Sequence, residues 1–158
     1  MLKWMAAILI LSASVLVGMF CNSRMTKRIS QLESALEAVR TVRLRIDYFL
    51  EPLDAILALL RVENPLFRET EEAVFGLGWQ NAFLERADAL SQDERTVLAH
   101  FGARLGGTDR EGQISLCGAM QEKIADYLAR AKQDRERYAR LAATLPVLVG
   151  VTVVVLFL

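Results

Sequence analysis

Apolar residues fall into two regimes along this chain. At both ends they are continuous: 4–21 (WMAAILILSASVLVGMFC) and 141–158 (LAATLPVLVGVTVVVLFL) carry no charged side chain. Each would reach roughly 27 Å as a helix, close to the hydrocarbon thickness of a bilayer. Between them apolar residues recur at helical spacing. Over 25–50 they fall at Ile29, Leu32, Leu36, Val39, Ile46 and Leu50, the a/d positions of one heptad frame interrupted by Arg43. Val42, Leu44, Tyr48 and Phe49 widen that stripe toward its end. After Asp109 a second stripe runs through Cys117, Met120, Ile124, Tyr127, Ala131, Tyr138 and Leu141, with Asp134 as the polar exception. Two such seams predict two long helices paired antiparallel, with their apolar ends together and the shorter helices gathered at the far end.

Turn chemistry divides the middle. Pro52 suits the first turn of a helix over 53–62, and Asn64-Pro65 opens another over 66–75. Gly76-Leu77-Gly78 reads as a loop, after which Trp79 and Phe83 anchor a short helix to about Leu90. Ser91-Gln92-Asp93-Glu94 is a capping box that starts the next helix. The sharpest break is 101–113, FGARLGGTDREGQ. Gly106 and Gly107 supply backbone freedom at a helix end, and Thr108 or Asp109 caps the next helix. Gln113, one turn beyond, is placed to hydrogen-bond within the turn, with partner contact as its second use. No alternating β-branched run occurs outside the termini, so the fold class is all-α: a helical bundle flanked by two transmembrane helices.

That pattern predicts a transmembrane helix at 4–21, a helical domain at 22–140 and a transmembrane helix at 141–158. A secretory signal peptide also begins with a charge and an apolar core, but no small-x-small cleavage site follows, and Phe20 stands where a lipoprotein site at Cys21 wants a small residue. Arg24, Lys27 and Arg28 follow the first segment, and Arg130, Lys132, Arg135, Arg137 and Arg140 precede the second. Outside the two segments there is only Lys3. The positive-inside rule therefore puts the domain in the cytoplasm. Arg24, Lys27, Arg28, Arg135, Arg137 and Arg140 are candidates for anionic lipid headgroups.

Charge and reactive residues narrow the function further. Lys plus Arg equal Asp plus Glu at 19 each, so nothing global points to nucleic acid. Residues 61–126 hold twelve acids and seven bases, and 127–140 two acids and five bases. This suggests an acidic distal part for a basic partner above a basic stem, or simply a solvated surface. Cys21 and Cys117 are too far apart in sequence and setting to suggest a disulfide framework, and read as free thiols. His100 is a lone histidine beside Phe101, and the acids Glu69, Glu71 and Glu72 form a solvated face. No catalytic, metal or cofactor constellation can be named, and no enzyme activity is expected.

In order and spacing, several short motifs resemble the stage III sporulation protein AB family. They are a terminal apolar helix with Arg28 and the Leu32/Leu36 stripe; Ile46-x-Tyr48, Pro52-Leu53 and Trp79; then Phe101-Gly102-x-x-Leu105-Gly106-x-x-Asp109-x-x-x-Gln113; and Tyr138 with Leu141 before the last apolar segment. Two positions depart from the pattern: Arg45, where an acid is usual, and Ala142, where glycine is usual. The resemblance implies a membrane protein of the mother cell, in the membrane around the forespore of an endospore-forming bacterium. It implies a non-enzymatic part of a channel complex joining the two cells, with a cytoplasmic domain similar to the type II secretion inner-membrane platform. A secretion-type ATPase and other membrane subunits are the implied partners. On that reading Gly106, Gly107, Asp109 and Gln113 are the candidate partner-binding residues. The alternative is a membrane-tethered, lipid-binding scaffold or regulator without ATPase contact.

Overall fold

The computed structural model describes residues 2–72 and 74–157, with side chains over 22–72 and 74–141. Five α-helices carry the chain: α1 Leu2–Leu44, α2 Leu53–Glu63, α3 Phe75–Asn81, α4 Gln92–Leu105 and α5 Arg110–Phe157. A wider π-type turn extends α1 over Arg45–Phe49, and another extends α3 over Ala82–Arg86. There is no strand among the described residues. The expected spans at 4–21 and 141–158 lie outside the residues described with side chains, Leu141 excepted. Among the described residues no helix is long and apolar enough to cross a membrane.

α1 and α5 run antiparallel, and their cross-links record the direction. Asp47 meets Arg110, Arg43 meets Gln121, Glu33 meets Lys132 and Arg28 meets Asp134, so positions fall along α1 as they rise along α5. The seam is apolar: Ile29, Leu32, Val39 and Ile46 from α1, and Cys117, Met120, Ile124 and Ala131 from α5, are buried. Ala35, Ala38 and Val42 are buried as well, so α1 presents a broad face rather than a two-position stripe. That face is covered by α5 on one side and by α2 on the other, and Arg28 and Gln31 reach from it to Glu94 and the 86–89 segment. Residues 22–28 and 134–141 form one end of the bundle, its base; the opposite end is its tip.

The short helices do not gather at the tip. Asn64, after α2, donates through Nδ2 to the Ser34 carbonyl at 2.7 Å, near the lower half of α1. The chain then climbs back, and the Phe75 N–H donates to Asp54 Oδ1 at 2.9 Å. It descends again to Asp88 beside Lys27, then rises through α4 to Leu105. Chain segments therefore alternate up and down beside α1. Acids from 61–126 are spread over the height of the bundle, with Asp88 and Glu94 at its base. The expected acidic distal part does not form.

The predicted helix over 66–75 is replaced by two successive turns, closed by Phe67 N–H to the Asn64 carbonyl at 3.1 Å and Thr70 N–H to the Phe67 carbonyl at 3.0 Å. Leu66, Phe67 and Thr70 are buried. Their spacing imitates a helical face, but consecutive turns satisfy it equally. Asn64 Oδ1 accepts from the Leu66 N–H at 3.1 Å, so the expected cap exists and caps a turn. Gly76 and Gly78, expected in a loop, lie inside α3. A Cβ on Gly78 would stand 2.7 Å from Leu57 Cδ2, so close approach to α2 outweighs glycine's poor helix propensity.

Trp79 is the centre of the core. Its ring lies 5.0–5.5 Å from the rings of Phe67, Phe75, Phe83 and Phe101, and all five residues are buried. Tilted and stacked pairs at such distances add about 0.5–1.5 kcal/mol each beyond area burial. The indole N–H is satisfied by the Leu98 carbonyl at 2.8 Å. A Cβ at Gly102 would lie 2.5 Å from the Trp79 ring, so α4 reaches the aromatic cluster only because it carries glycine there.

Candidate docking surface

The tip is built from two turns set side by side. α4 ends at Gly106, and Asp109 caps α5: its Oδ1 accepts from the Gly112 N–H at 3.1 Å. Of the two capping alternatives, Asp109 is therefore the one used. Gln113 hydrogen-bonds within the turn, its Nε2 donating to the Thr108 carbonyl at 2.9 Å. The glycine pair plays a smaller part than its prominence suggests. No glycine among the described residues has a positive φ, and Gly106 sits at φ −80°, ψ −2°. A Cβ on Gly106 or Gly107 would meet nothing nearer than 3.5 Å, whereas one on Gly112 would lie 2.7 Å from Asp109 Oδ1. The turn requires Gly112, because the capping carboxylate folds over it.

The second turn is the end of α1. Its π-type segment closes at Leu50, which has φ 52° and ψ 33°, the only positive φ at a non-glycine residue among those described. Tyr48, Phe49 and Leu50, expected within or beside the buried stripe, are 75%, 58% and 70% exposed, and Leu44 one turn earlier is 49% exposed. The π-type turn and the left-handed residue together swing this end of the stripe off the seam. Arg110 ties the two turns together, donating to the Asp47 carbonyl and to its Oδ1 at 3.0 Å. Ile46, Leu50, Glu51, Arg110 and Gln113 line a hollow of about 190 Å³ between them.

The base holds the strongest polar network. The Glu94 N–H donates to Ser91 Oγ at 3.3 Å, while Glu94 Oε2 accepts from the Ser91 N–H at 2.8 Å, completing the expected capping box. The same carboxylate accepts from Arg28 Nη2 at 2.6 Å and Nε at 3.3 Å. Its side chain is 3% exposed and that of Arg28 28%. Burial pushes the Glu94 carboxyl up, but the Arg28 and Ser91 hydrogen bonds and the Arg28 charge outweigh it and hold it below the usual carboxylate range. The hydrogen bond to Glu94 likewise raises Arg28, whose Nη1 also lies 3.7 Å from Asp134 of α5. Gln31 is buried beside this network, donating to the Arg86 carbonyl and to Asp88 Oδ1 and accepting from the Ala89 N–H.

Two of the expected headgroup residues have partners within the domain: Arg28 is half-buried against Glu94, and Lys27 meets Asp88 at 2.7 Å on the exposed surface. Arg24, Arg135 and Arg137 are exposed and form no ion pair among the described residues, and Arg140 is exposed. Neither Arg28–Glu94 nor the Gln31 network could be read from local spacing, since each joins residues more than fifty positions apart.

Elsewhere the chemistry is quiet. Cys117 is buried, and burial pushes its thiol up to about 12. His100 is exposed. No cluster of three or more His, Cys, Asp or Glu side chains fit to hold a metal ion occurs among the described residues. Arg45, the departure from the resembled pattern, pairs with Glu51 at 2.9 Å and lies over the Phe49 ring at 5.0 Å.

No curated protein and no solved structure matches the chain. The family described as stage III sporulation protein AB matches residues 3–158, essentially the whole sequence, and this assigns the protein a role in sporulation. With that match covering both the helical bundle and its apolar ends, the chain belongs to the stage III sporulation protein AB family.

Proposed function

We propose that the protein is a non-enzymatic platform component of a secretion-like channel complex in endospore formation. It is anchored by spans at 4–21 and 141–158 in the mother-cell membrane around the forespore, with 22–140 in the cytoplasm. Its tip docks a secretion-type ATPase, and its spans assemble with other membrane subunits. The supporting observation is the continuity of α1 and α5: each runs unbroken from an apolar end into the bundle. The tip is thereby held about 30 Å above Arg28 at 1.5 Å per helical residue, within reach of a cytosolic partner.

The test is co-purification of the full chain with the ATPase of the same sporulation system. Replacing Asp109 with Ala, or Gly106 and Gly107 with Ala, is expected to weaken recovery of the ATPase. Unchanged recovery with a stably folded variant removes 106–113 from the docking surface. A second reading draws on the exposed Arg135 and Arg137: a lipid-binding scaffold or regulator whose activity needs the stem. It is favoured if neutralising Arg135, Arg137 and Arg140 abolishes sporulation while ATPase binding persists.

A further inference from the structure

Resting on the anchoring of the chain by spans at 4–21 and 141–158, we propose that Arg24 and Arg137 together hold the phosphate of one anionic phospholipid headgroup. The site lies on the flank of the bundle where Arg28 meets Asp134. The ligand class is a phosphodiester lipid with no cationic group of its own, such as phosphatidylglycerol.

Helix register puts the two arginines on one flank. Arg28 Nη1 lies 3.7 Å from Asp134, which fixes how α1 and α5 face each other at the base. Arg24 comes one turn before Arg28, and Arg137 one turn after Asp134. Both therefore stand one turn nearer the apolar ends on that same flank. The charges next to Arg137 point elsewhere: at about 100° per residue, Arg135 and Glu136 are rotated about 100° and 200° from Asp134.

Height selects a lipid phosphate over a soluble anion. At about 1.5 Å per residue, Arg24 stands about 4.5 Å beyond the apolar segment that ends at 21, and Arg137 about 6 Å from the one that begins at 141. Headgroups occupy about 5–7 Å on each side of the hydrocarbon, so both arginines lie at that layer. Arg28 and Asp134, each about 10 Å out, stand above it.

Charge completes the fit. Arg24 and Arg137 are exposed and form no ion pair among the described residues. Their neighbours are taken: Lys27 meets Asp88, Arg28 meets Glu94 and Asp134, and Arg140 has an interaction of its own. Asp93, beside Glu94, is exposed and forms no ion pair among the described residues, so one unpaired carboxylate stands against two unpaired guanidiniums. A guanidinium presents paired N–H donors that match phosphate oxygens. A zwitterionic headgroup would bring an ammonium against the same arginines, so an anionic lipid is preferred.

The experiment places the full chain in nanodiscs of equal parts phosphatidylglycerol and phosphatidylcholine, and native mass spectrometry of the released protein counts the lipids it keeps. Wild type is expected to retain phosphatidylglycerol in preference. Arg24→Gln and Arg137→Gln should each lower that preference about fivefold, while Lys27→Gln and Arg135→Gln, with the same change of charge, stay within about twofold of wild type. All four residues are exposed, and unchanged melting temperatures exclude unfolding as the cause. Equal losses in all four variants assign the effect to diffuse attraction and overturn the site while leaving the anchoring standing. Equal retention of the two lipids by wild type does the same. If inorganic phosphate raises the melting temperature in phosphatidylcholine nanodiscs as much as phosphatidylglycerol does, the ligand is a soluble anion and the headgroup assignment falls. Recovery of wild type outside the nanodiscs overturns the anchoring and the site with it.

Discussion

At the base, Arg28, Gln31 and Glu94 turn inward and bond across three helices and a turn; at the tip, along the same α1, Tyr48, Phe49 and Leu50 turn outward into solvent. The two regions invert the usual placement of polar and apolar residues. The difference teaches where the fold's integrity resides and where its surface is free to serve something else. A charge bonded inside the bundle is part of the architecture, and removing it strands a partner. An apolar side chain outside the bundle contributes little to the fold.

The largest test of that contrast is Arg28→Ala. It leaves the Glu94 carboxylate buried with only the Ser91 groups, and removing one partner of a buried ion pair costs about 3–5 kcal/mol. Denaturant unfolding should show it as a large fall in midpoint, while Tyr48→Ser at the tip stays within about 0.5 kcal/mol of wild type. Comparable losses at both sites would end the distinction.

Within the tip, a smaller effect separates the glycines. Gly112→Ala should destabilise by about 1–3 kcal/mol through its clash with the capping Asp109, while Gly106→Ala and Gly107→Ala are near neutral. Equal melting temperatures for all three variants would show that Asp109 does not hold its cap.

The mildest perturbation is acid. Glu94 has its folded pKa depressed below the ordinary glutamate value of about 4.3, so its contribution is fully present above that value and is lost as pH falls through the lower, folded one. Asp88, lowered by hydrogen bonds from Lys27 and Gln31, adds in the same direction but is mostly exposed. Stability measured from pH 7 downward should therefore stay level until about pH 4.5 and then fall, and Glu94→Gln should flatten that fall. An unchanged acid limb in Glu94→Gln would place the sensitive group elsewhere.

What could be read from sequence was mostly what is decided locally. The capping box at Ser91 and Glu94, the antiparallel seams, the packing role of Trp79 and the inward hydrogen bond of Gln113 all derive from spacing within a turn or two. Where distant parts of the chain decide, local reading failed. Gly78 looked like part of a loop because the need of Leu57 for space is invisible in its neighbourhood. Residues 66–75 looked helical because Leu66, Phe67 and Thr70 keep a helix's spacing without its hydrogen bonds. The acids that pair with Arg28 and Lys27 could not be found locally, because they lie more than sixty positions away. The candidate site was half visible: the 106–113 turn stood out, but its neighbour at 44–50 was hidden inside a stripe that reads as core.

The unbroken passage of α1 and α5 out of the bundle has a mechanical consequence. Because both helices pass without interruption into the bundle, tilt or roll of either apolar end is carried toward the tip. One residue inserted into a helix advances the remainder of that helix by about 1.5 Å and rotates it by about 100°. The two rods leave side by side, so neither can be rephased without shearing the seam between them. The azimuth at which the tip faces its surroundings is thereby built into the length of the chain, as the bearing of a signpost is set by the way its two legs are footed.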